Sequence, residues 1–312
     1  MKIVFLDAHT LGSDISLAPI AACGEFVCYD HTSDEQVFER ITDCEVLIVN
    51  KIQIRKAQID AAPKLKLICV AATGVNNIDL DYAALKGIPV KNAVDYSTNS
   101  VTQVTFSILL SLAGQIPHFD NWVKSGSYSN SNSFTHLSKV FWELKGKRYG
   151  VIGLGNIGSN VARIARAFGM EVYYYPTSGK AHSSEFPALS LEELLSTCDV
   201  VSVHAPLNDR TKNLVTYEKL QLMKKSAYIL NMGRGGIINE ADLVKALNDN
   251  LIAGAGVDVY TCEPLPETSP YFNIEDKSKI IFTPHIGWAS AEARVILVEK
   301  IARNIEEYAA KH

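Results

Sequence analysis

The sequence predicts an α/β protein with two parallel-sheet domains, and three observations carry that reading. Short β-rich runs alternate with amphipathic stretches twice, from Met1 to about Asn99 and again from Lys147. A GxGxxG stands at the end of the first strand of the second series. The length of 312 residues suits two cores better than one.

In the first series the strand-like runs are Ile3 to Leu6, Glu25 to Tyr29, Val46 to Val49, Leu67 to Val70 and Val90, with Asp34 to Ile41 as an amphipathic helix among them. Strands that alternate with helices pair in parallel, because each crossover returns the chain to the same edge. Ser100 to Leu112 reads as a long helix. The stretch Gly126 to Phe134 (GSYSNSNSF) has no apolar period and reads as a loop.

The second series predicts strands at Tyr149 to Ile152, Val172 to Tyr175, Val200 to His204, Ala227 to Asn231, Ala253 to Val259 and Ile280 to Phe282. Helices are expected at Asn156 to Ala167, Leu191 to Leu195 and Glu240 to Asn248. Six such strands fit a doubly wound sheet. A last helix, Ala291 to Ala310, carries Val295, Ile296, Val298, Ile301 and Ile305 on an approximate stripe and is expected to cross back to the first domain.

Composition narrows the function. The chain is 47% hydrophobic with a net charge of only -4, so a globular protein with a sizeable core is expected. Lys and Arg are outnumbered by Asp and Glu and form no stripe, which argues against a nucleic-acid partner. No apolar run approaches the ~18 residues of a membrane span. The apolar run that opens the chain meets Asp7 too soon for a secretory segment. Six cysteines without metal-ligand spacing read as reduced thiols, so a cytoplasmic location and a small-molecule ligand are expected.

The GxGxxG consists of Gly153, Gly155 and Gly158, at the junction of an apolar strand and an amphipathic helix. The first glycine permits the tight turn, the second lets the backbone approach a pyrophosphate, and the third allows close helix–strand packing. The first-turn residues Asn156 and Ile157 would present N–H groups to the anion. A carboxylate is expected about 20 residues on to bind the adenosine ribose, yet the second strand ends at Tyr175-Pro176-Thr177. Glu171 stands about four residues earlier, ~13 Å away at ~3.3 Å per residue, too far to substitute. NAD is the cofactor expected by default. NADP is the alternative, because Thr177, Ser178, Lys180 and His182 offer donors and charge to a 2′-phosphate and no carboxylate repels one.

Three further polar groups follow later strands, where a doubly wound sheet binds its ligands. Arg234 is flanked by Gly233, Gly235 and Gly236; Glu263 follows the strand that ends near Asp258; His285 follows Thr283-Pro284. A guanidinium fork, a carboxylate and a titratable imidazole suit recognition of a carboxylate and transfer of a proton.

The ordered segments GLGNIG, NMGRGG, VDVYTCEP and TPHIGW resemble the D-isomer-specific 2-hydroxyacid dehydrogenases, and AATGVNNID (Ala71 to Asp79) resembles their substrate loop. The resemblance runs nearly end to end. It implies a Rossmann-type doubly wound dinucleotide domain at residues 100–289 and a smaller flavodoxin-like α/β substrate domain at 1–99 plus 290–312. It also implies hydride exchange between a nicotinamide cofactor and a small 2-keto acid or D-2-hydroxy acid. Under it His285 protonates the keto oxygen, Glu263 orients His285, and Arg234 binds the substrate carboxylate. Asp258 is expected on the nicotinamide side, His204, Pro206 and Met232 at the cofactor cleft, and Gly74 and Val75 at the substrate carboxylate through backbone N–H groups.

Within that family, Tyr96 to Phe106, Asn50-Lys51 and WELKGKRYGVIGLGNIG are similar to glycerate dehydrogenases, which implies hydroxypyruvate and D-glycerate as the substrate pair. A D-lactate-type dehydrogenase and a dinucleotide-sensing corepressor are the competing readings. The resemblance also implies a homodimer.

Overall fold

A computed structural model describes residues 1–311. The chain forms two compact units, Met1–Ser97 with the segment from Trp288 onward, and Thr98–Gly287.

The first unit holds a five-stranded parallel sheet, β1 Lys2–Phe5, β2 Glu25–Cys28, β3 Val46–Val49, β4 Leu67–Val70 and β5 Val90–Asn92, in the order β2-β1-β3-β4-β5. This is the flavodoxin-like order. β3 and β4 are buried at every position because helices cover both faces, which is why they read as unbroken apolar runs. Alternate residues serve opposite cores. Ile3, Phe5, Val46, Ile48, Leu67 and Cys69 pack with Leu297, Val298, Ile301 and Ile305 of the C-terminal helix Ala291–Ala309. Val4, Leu47, Val49, Ile68 and Val70 pack with Val37 and Ile41 of another helix, Asp34–Ile41. The C-terminal helix thus returns to the first unit, as its apolar stripe predicts.

The second unit opens with a helix, Thr98–Ala113, and a shorter one, Ile116–Lys124. Its six parallel strands are β6 Arg148–Ile152, β7 Glu171–Tyr175, β8 Val200–Val203, β9 Tyr228–Asn231, β10 Gly254–Val257 and β11 Ile280–Phe282. They lie in the order β11-β10-β9-β8-β6-β7, and an isolated parallel bridge between Tyr174 and Ala188 adds one more position beside β7. The order runs outward from β6 in both directions, so the topological switch lies between β6 and β8.

The register aligns the strand ends. Tyr175 pairs with Ile152, Ile152 with Val203, Val203 with Asn231, Asn231 with Val257, and Val257 with Phe282. The residues that follow this row therefore leave the sheet at one edge, and they are Pro176, Gly153, His204, Met232, Asp258 and Thr283. Close packing secures the row from below. A Cβ on Gly256 would come within 2.3 Å of Ile108, so the helix Thr98–Ala113 lies directly on β10.

The strands Val46–Val49, Leu67–Val70 and Ile280–Phe282 and the helices Asn156–Ala167 and Glu240–Asn248 match the sequence expectation, and the other strands differ from it by one or two residues at their ends. The helix Ile116–Lys124 was not expected. Its apolar residues Ile116, Phe119, Trp122 and Val123 recur at helical spacing, so a one-sided period is present in the sequence although none of its residues is buried. Ala18–Ala21, Lys56–Asp60, Leu80–Leu85 and Tyr217–Leu220 escape a periodicity reading, being too short to repeat an apolar position.

Candidate active site

The glycine turn closes on the row of strand ends. Gly153 has φ +91°, a conformation that glycine adopts without a steric penalty, and its N–H donates to the Tyr175 carbonyl at 3.1 Å. A Cβ on Gly158 would lie 2.2 Å from the Gly153 carbonyl oxygen, so the helix Asn156–Ala167 starts hard against the turn. At Gly155, which precedes that helix and has no side chain to cap it, a Cβ would meet nothing within 4 Å. The turn is thus closed towards the sheet and open in front of the helix N-terminus, the cradle a pyrophosphate requires.

The loops after β8 and β9 adjoin it. Ala205 approaches Gly153 so closely that a Cβ there would be 3.0 Å away, and one on Gly233 would be 2.8 Å from the Ala205 carbonyl oxygen. Beside them Met232 is buried and Pro206 is exposed. The Asn231 side chain clamps the following turn, its Oδ1 accepting from the Gly233 N–H at 3.2 Å and its Nδ2 donating to the Arg234 carbonyl at 3.0 Å. Arg234 is half-buried and donates from Nη1 to the Gly233 carbonyl at 2.8 Å. Among the described residues no carboxylate lies within ion-pair distance of its guanidinium. The β9 and β10 loops touch backbone to backbone, since a Cβ on Gly235 would fall 1.9 Å from the Tyr260 carbonyl carbon.

His285 and Glu263 meet in the same unit. The Nδ1 of His285 lies 2.7 Å from Glu263 Oε2, while Glu263 Oε1 accepts the Tyr260 N–H at 3.0 Å. Both carboxylate oxygens are therefore engaged and the imidazole is oriented through Nδ1. Its Nε2 makes no hydrogen bond to any described residue. His285 has φ +54°, uncommon for a residue with a side chain, and its N–H donates to the Thr283 carbonyl at 3.0 Å.

The family model described as D-isomer specific 2-hydroxyacid dehydrogenase, NAD binding domain, matches residues 106–287. The chain belongs to this family. It is 36% identical to a hydroxypyruvate reductase of Blautia hydrogenotrophica over 99% of this chain and 97% of the relative. It is 34% identical to a glycerate dehydrogenase of Methylorubrum extorquens over 99% and 96%. A solved acyclic imino acid reductase in complex with NADPH and D-Arg is similar with a TM-score of 0.88 at 28% identity, over 100% of this chain and 98% of that one.

In this dehydrogenase Asp258 does more than its expected place beside the nicotinamide implies. Its buried carboxylate accepts from the Thr283 hydroxyl at 2.6 Å and from the Ile286 and Gly287 N–H groups at 2.9 Å each. It therefore fastens the loop that carries His285 to the end of β10. Burial pushes the Asp258 carboxyl above the usual carboxylate range, and these three donors oppose the shift. Sequence reading missed Asn231 and Thr283, because their roles depend on partners that only the fold brings close.

Gly74 and Val75 lie in the first unit, in the loop after β4. Their backbone N–H groups make no hydrogen bond to any described residue, whereas the neighbouring Thr73 and Asn77 are tied down through their side chains. In the same unit the buried Asp7 carboxylate accepts the N–H groups of Asn50 and Lys51, the latter at 2.7 Å. Among the described residues no group of side chains forms a metal site, and no helix is long and apolar enough to cross a membrane.

His204 stands between Gly153 and Met232 in the row. Its Nε2 is 2.9 Å from the Ser202 hydroxyl, and its enclosed Nδ1 has no partner among the described residues. Burial pushes its pKa down to about 3 from an ordinary 6.5. An imidazole that binds protons less readily folded than unfolded leaves the protein fully stable above about pH 6.5 and destabilises it as the pH falls towards 3. We therefore expect the drop in Tm between pH 7 and pH 5 to be smaller in His204→Gln than in the unaltered protein. Equal drops in the two proteins would show that His204 is not a source of the acid sensitivity.

Proposed function

We propose that the protein reduces hydroxypyruvate to D-glycerate, with His285 as the proton donor. The observation that carries the chemistry is the 2.7 Å contact between His285 Nδ1 and Glu263, which leaves Nε2 as the nitrogen able to release a proton. When bound, the reduced nicotinamide supplies the hydride that reaches the keto carbon. His285 Nε2–H hydrogen-bonds the keto oxygen and delivers its proton as negative charge develops there. Glu263 accepts the Nδ1–H and so holds the ring in one orientation with Nε2 free for the substrate. Arg234 uses one N–H on the Gly233 carbonyl and offers its remaining donors to the substrate carboxylate, a planar partner matched by the guanidinium fork.

The dinucleotide end rests on Gly153, Gly155, Asn156, Ile157 and Gly158, with His204, Pro206 and Met232 lining the adjacent strand ends. The unbonded N–H groups of Gly74 and Val75 are assigned to the substrate carboxylate on the family resemblance. The names of the two relatives, a hydroxypyruvate reductase and a glycerate dehydrogenase, support the choice of substrate. A cytoplasmic location belongs to the same reading and is supported by six free cysteines.

We also propose a homodimer formed through the helix Ile116–Lys124 and the loop behind it. That segment exposes Phe134 at 90%, Leu137 at 75% and Val140 at 88%, together with Ile116, Val123 and Phe141. A second copy of the chain would remove this apolar surface from water.

The substrate reading is tested by following NADH and NADPH oxidation with hydroxypyruvate, glyoxylate, pyruvate and 2-ketoisocaproate. We expect hydroxypyruvate to give the highest kcat/KM, and His285→Ala to lose at least ~100-fold in kcat while binding the dinucleotide as before. Faster turnover of another acid would reassign the substrate. No turnover of any acid despite tight dinucleotide binding would favour the corepressor reading. Light scattering is expected to give twice the chain mass, and Phe134→Asp with Val140→Asp to shift it towards the single-chain mass; a monomeric unaltered protein would refute the dimer.

A further inference from the structure

The adenosine end of the dinucleotide site carries an arginine that the linear sequence does not place there. The turn after β7 is where a carboxylate would hold the two ribose hydroxyls and repel a 2′-phosphate. Here that turn is Pro176-Thr177-Ser178, and the first carboxylate beyond it, Glu185, is ion-paired with Arg163 at 3.0 Å and with Arg166 at 2.7 Å. Arg210 arrives from the loop after β8 and donates from Nη1 to the Ser178 carbonyl at 2.8 Å.

We propose that Arg210, fixed on the turn after β7, binds a cofactor 2′-phosphate and makes this dehydrogenase selective for NADPH over NADH. The proposal rests on the dinucleotide reading of the glycine turn and extends it to the ribose.

The loop that presents Arg210 is built rather than loose. Asn208 Oδ1 accepts the Arg210 N–H at 2.9 Å, and the buried Thr211 hydroxyl donates to the Pro206 carbonyl at 2.6 Å. Thr211 Oγ1 in turn accepts the Asn208 N–H at 2.8 Å. Pro206 follows His204 and Ala205 at the strand-end row, so this framework ties Arg210 to the same edge as the glycine turn.

The charge around the turn is one-sided. Neither Arg210 nor the exposed Lys180 has an ion-pair partner among the described residues, although Asp209 precedes Arg210 in the chain. The half-buried Thr177 hydroxyl completes a set of donors around the turn, beside the Ser178 hydroxyl, which is already spent on the Lys180 carbonyl at 3.2 Å. A phosphate dianion gains charge-assisted hydrogen bonds from such a set, whereas the plain 2′-hydroxyl of NADH gains little from a guanidinium. Because Nη1 is held by a backbone carbonyl, little side-chain freedom is left to lose when the phosphate binds.

The test is equilibrium binding, read by calorimetry or by quenching of protein fluorescence, of NADPH and NADH and of the fragments adenosine 2′,5′-bisphosphate and AMP. We expect NADPH to bind at least ~10-fold more tightly than NADH, with the same order for the fragments. Arg210→Ala should weaken NADPH roughly 10- to 100-fold while NADH stays within about twofold, so that NADH binding also reports an intact fold. Arg210→Lys should recover part of the lost NADPH affinity, and added salt should narrow the preference. Tighter binding of NADH by the unaltered protein would overturn the proposal and leave the dehydrogenase reading standing. Equal weakening of both cofactors in Arg210→Ala would overturn it in favour of an arginine that merely stiffens the loop. Failure to bind either cofactor would overturn it together with the dinucleotide reading on which it rests.

Discussion

The buried Asp258 carboxylate is the constraint on which the arrangement around His285 depends. At the end of β10 it takes up the Thr283 hydroxyl and the N–H groups of Ile286 and Gly287, so it bridges two neighbouring strand ends and sets the path of the chain around His285. His285 is held at φ +54° within this loop, a conformation that needs support from its surroundings. The clamp supplies that support, and from there Nδ1 reaches Glu263. A buried carboxylate is costly unless its oxygens are bonded, and these three donors offset the cost while fixing the loop.

The same economy of means operates along the sheet edge. All six strands of the second unit are parallel and end in one register row, so residues far apart in sequence leave the sheet side by side. Glycines at 153, 233 and 235 let the loops from that row touch through their backbones, where a single Cβ would collide with Ala205 or Tyr260. The open face at Gly155 and the oriented His285 belong to this one edge, which is how the proposed dinucleotide cradle and the proposed proton donor come from the same folding unit.

Much of this was legible in the sequence because both sheets are covered on two faces. Runs such as Val46 to Val49 and Leu67 to Val70 are apolar throughout, and their limits match the strands. Gly153, Gly155 and Gly158 located the start of their helix for the same local reason. Arg234, Glu263 and His285 were found through ordered motifs, and the structure brings Glu263 and His285 into contact. What stayed hidden was either unpatterned or long-range. Single-turn helices are too short to repeat an apolar position. Thr283 meets Asp258 across 25 positions, and Arg210 meets Ser178 across 32, distances that no local spacing encodes.

The proposed proton transfer depends on Glu263 holding the His285 ring through their 2.7 Å contact, and the kinetics of keto-acid reduction by Glu263→Ala test that dependence most directly. Alanine removes the acceptor for the Nδ1–H, so the ring loses its anchor while the glycine turn is left untouched. We expect kcat to fall at least ~10-fold, with dinucleotide binding preserved. A kcat within about twofold of the unaltered enzyme would contradict the proposed role of the pairing.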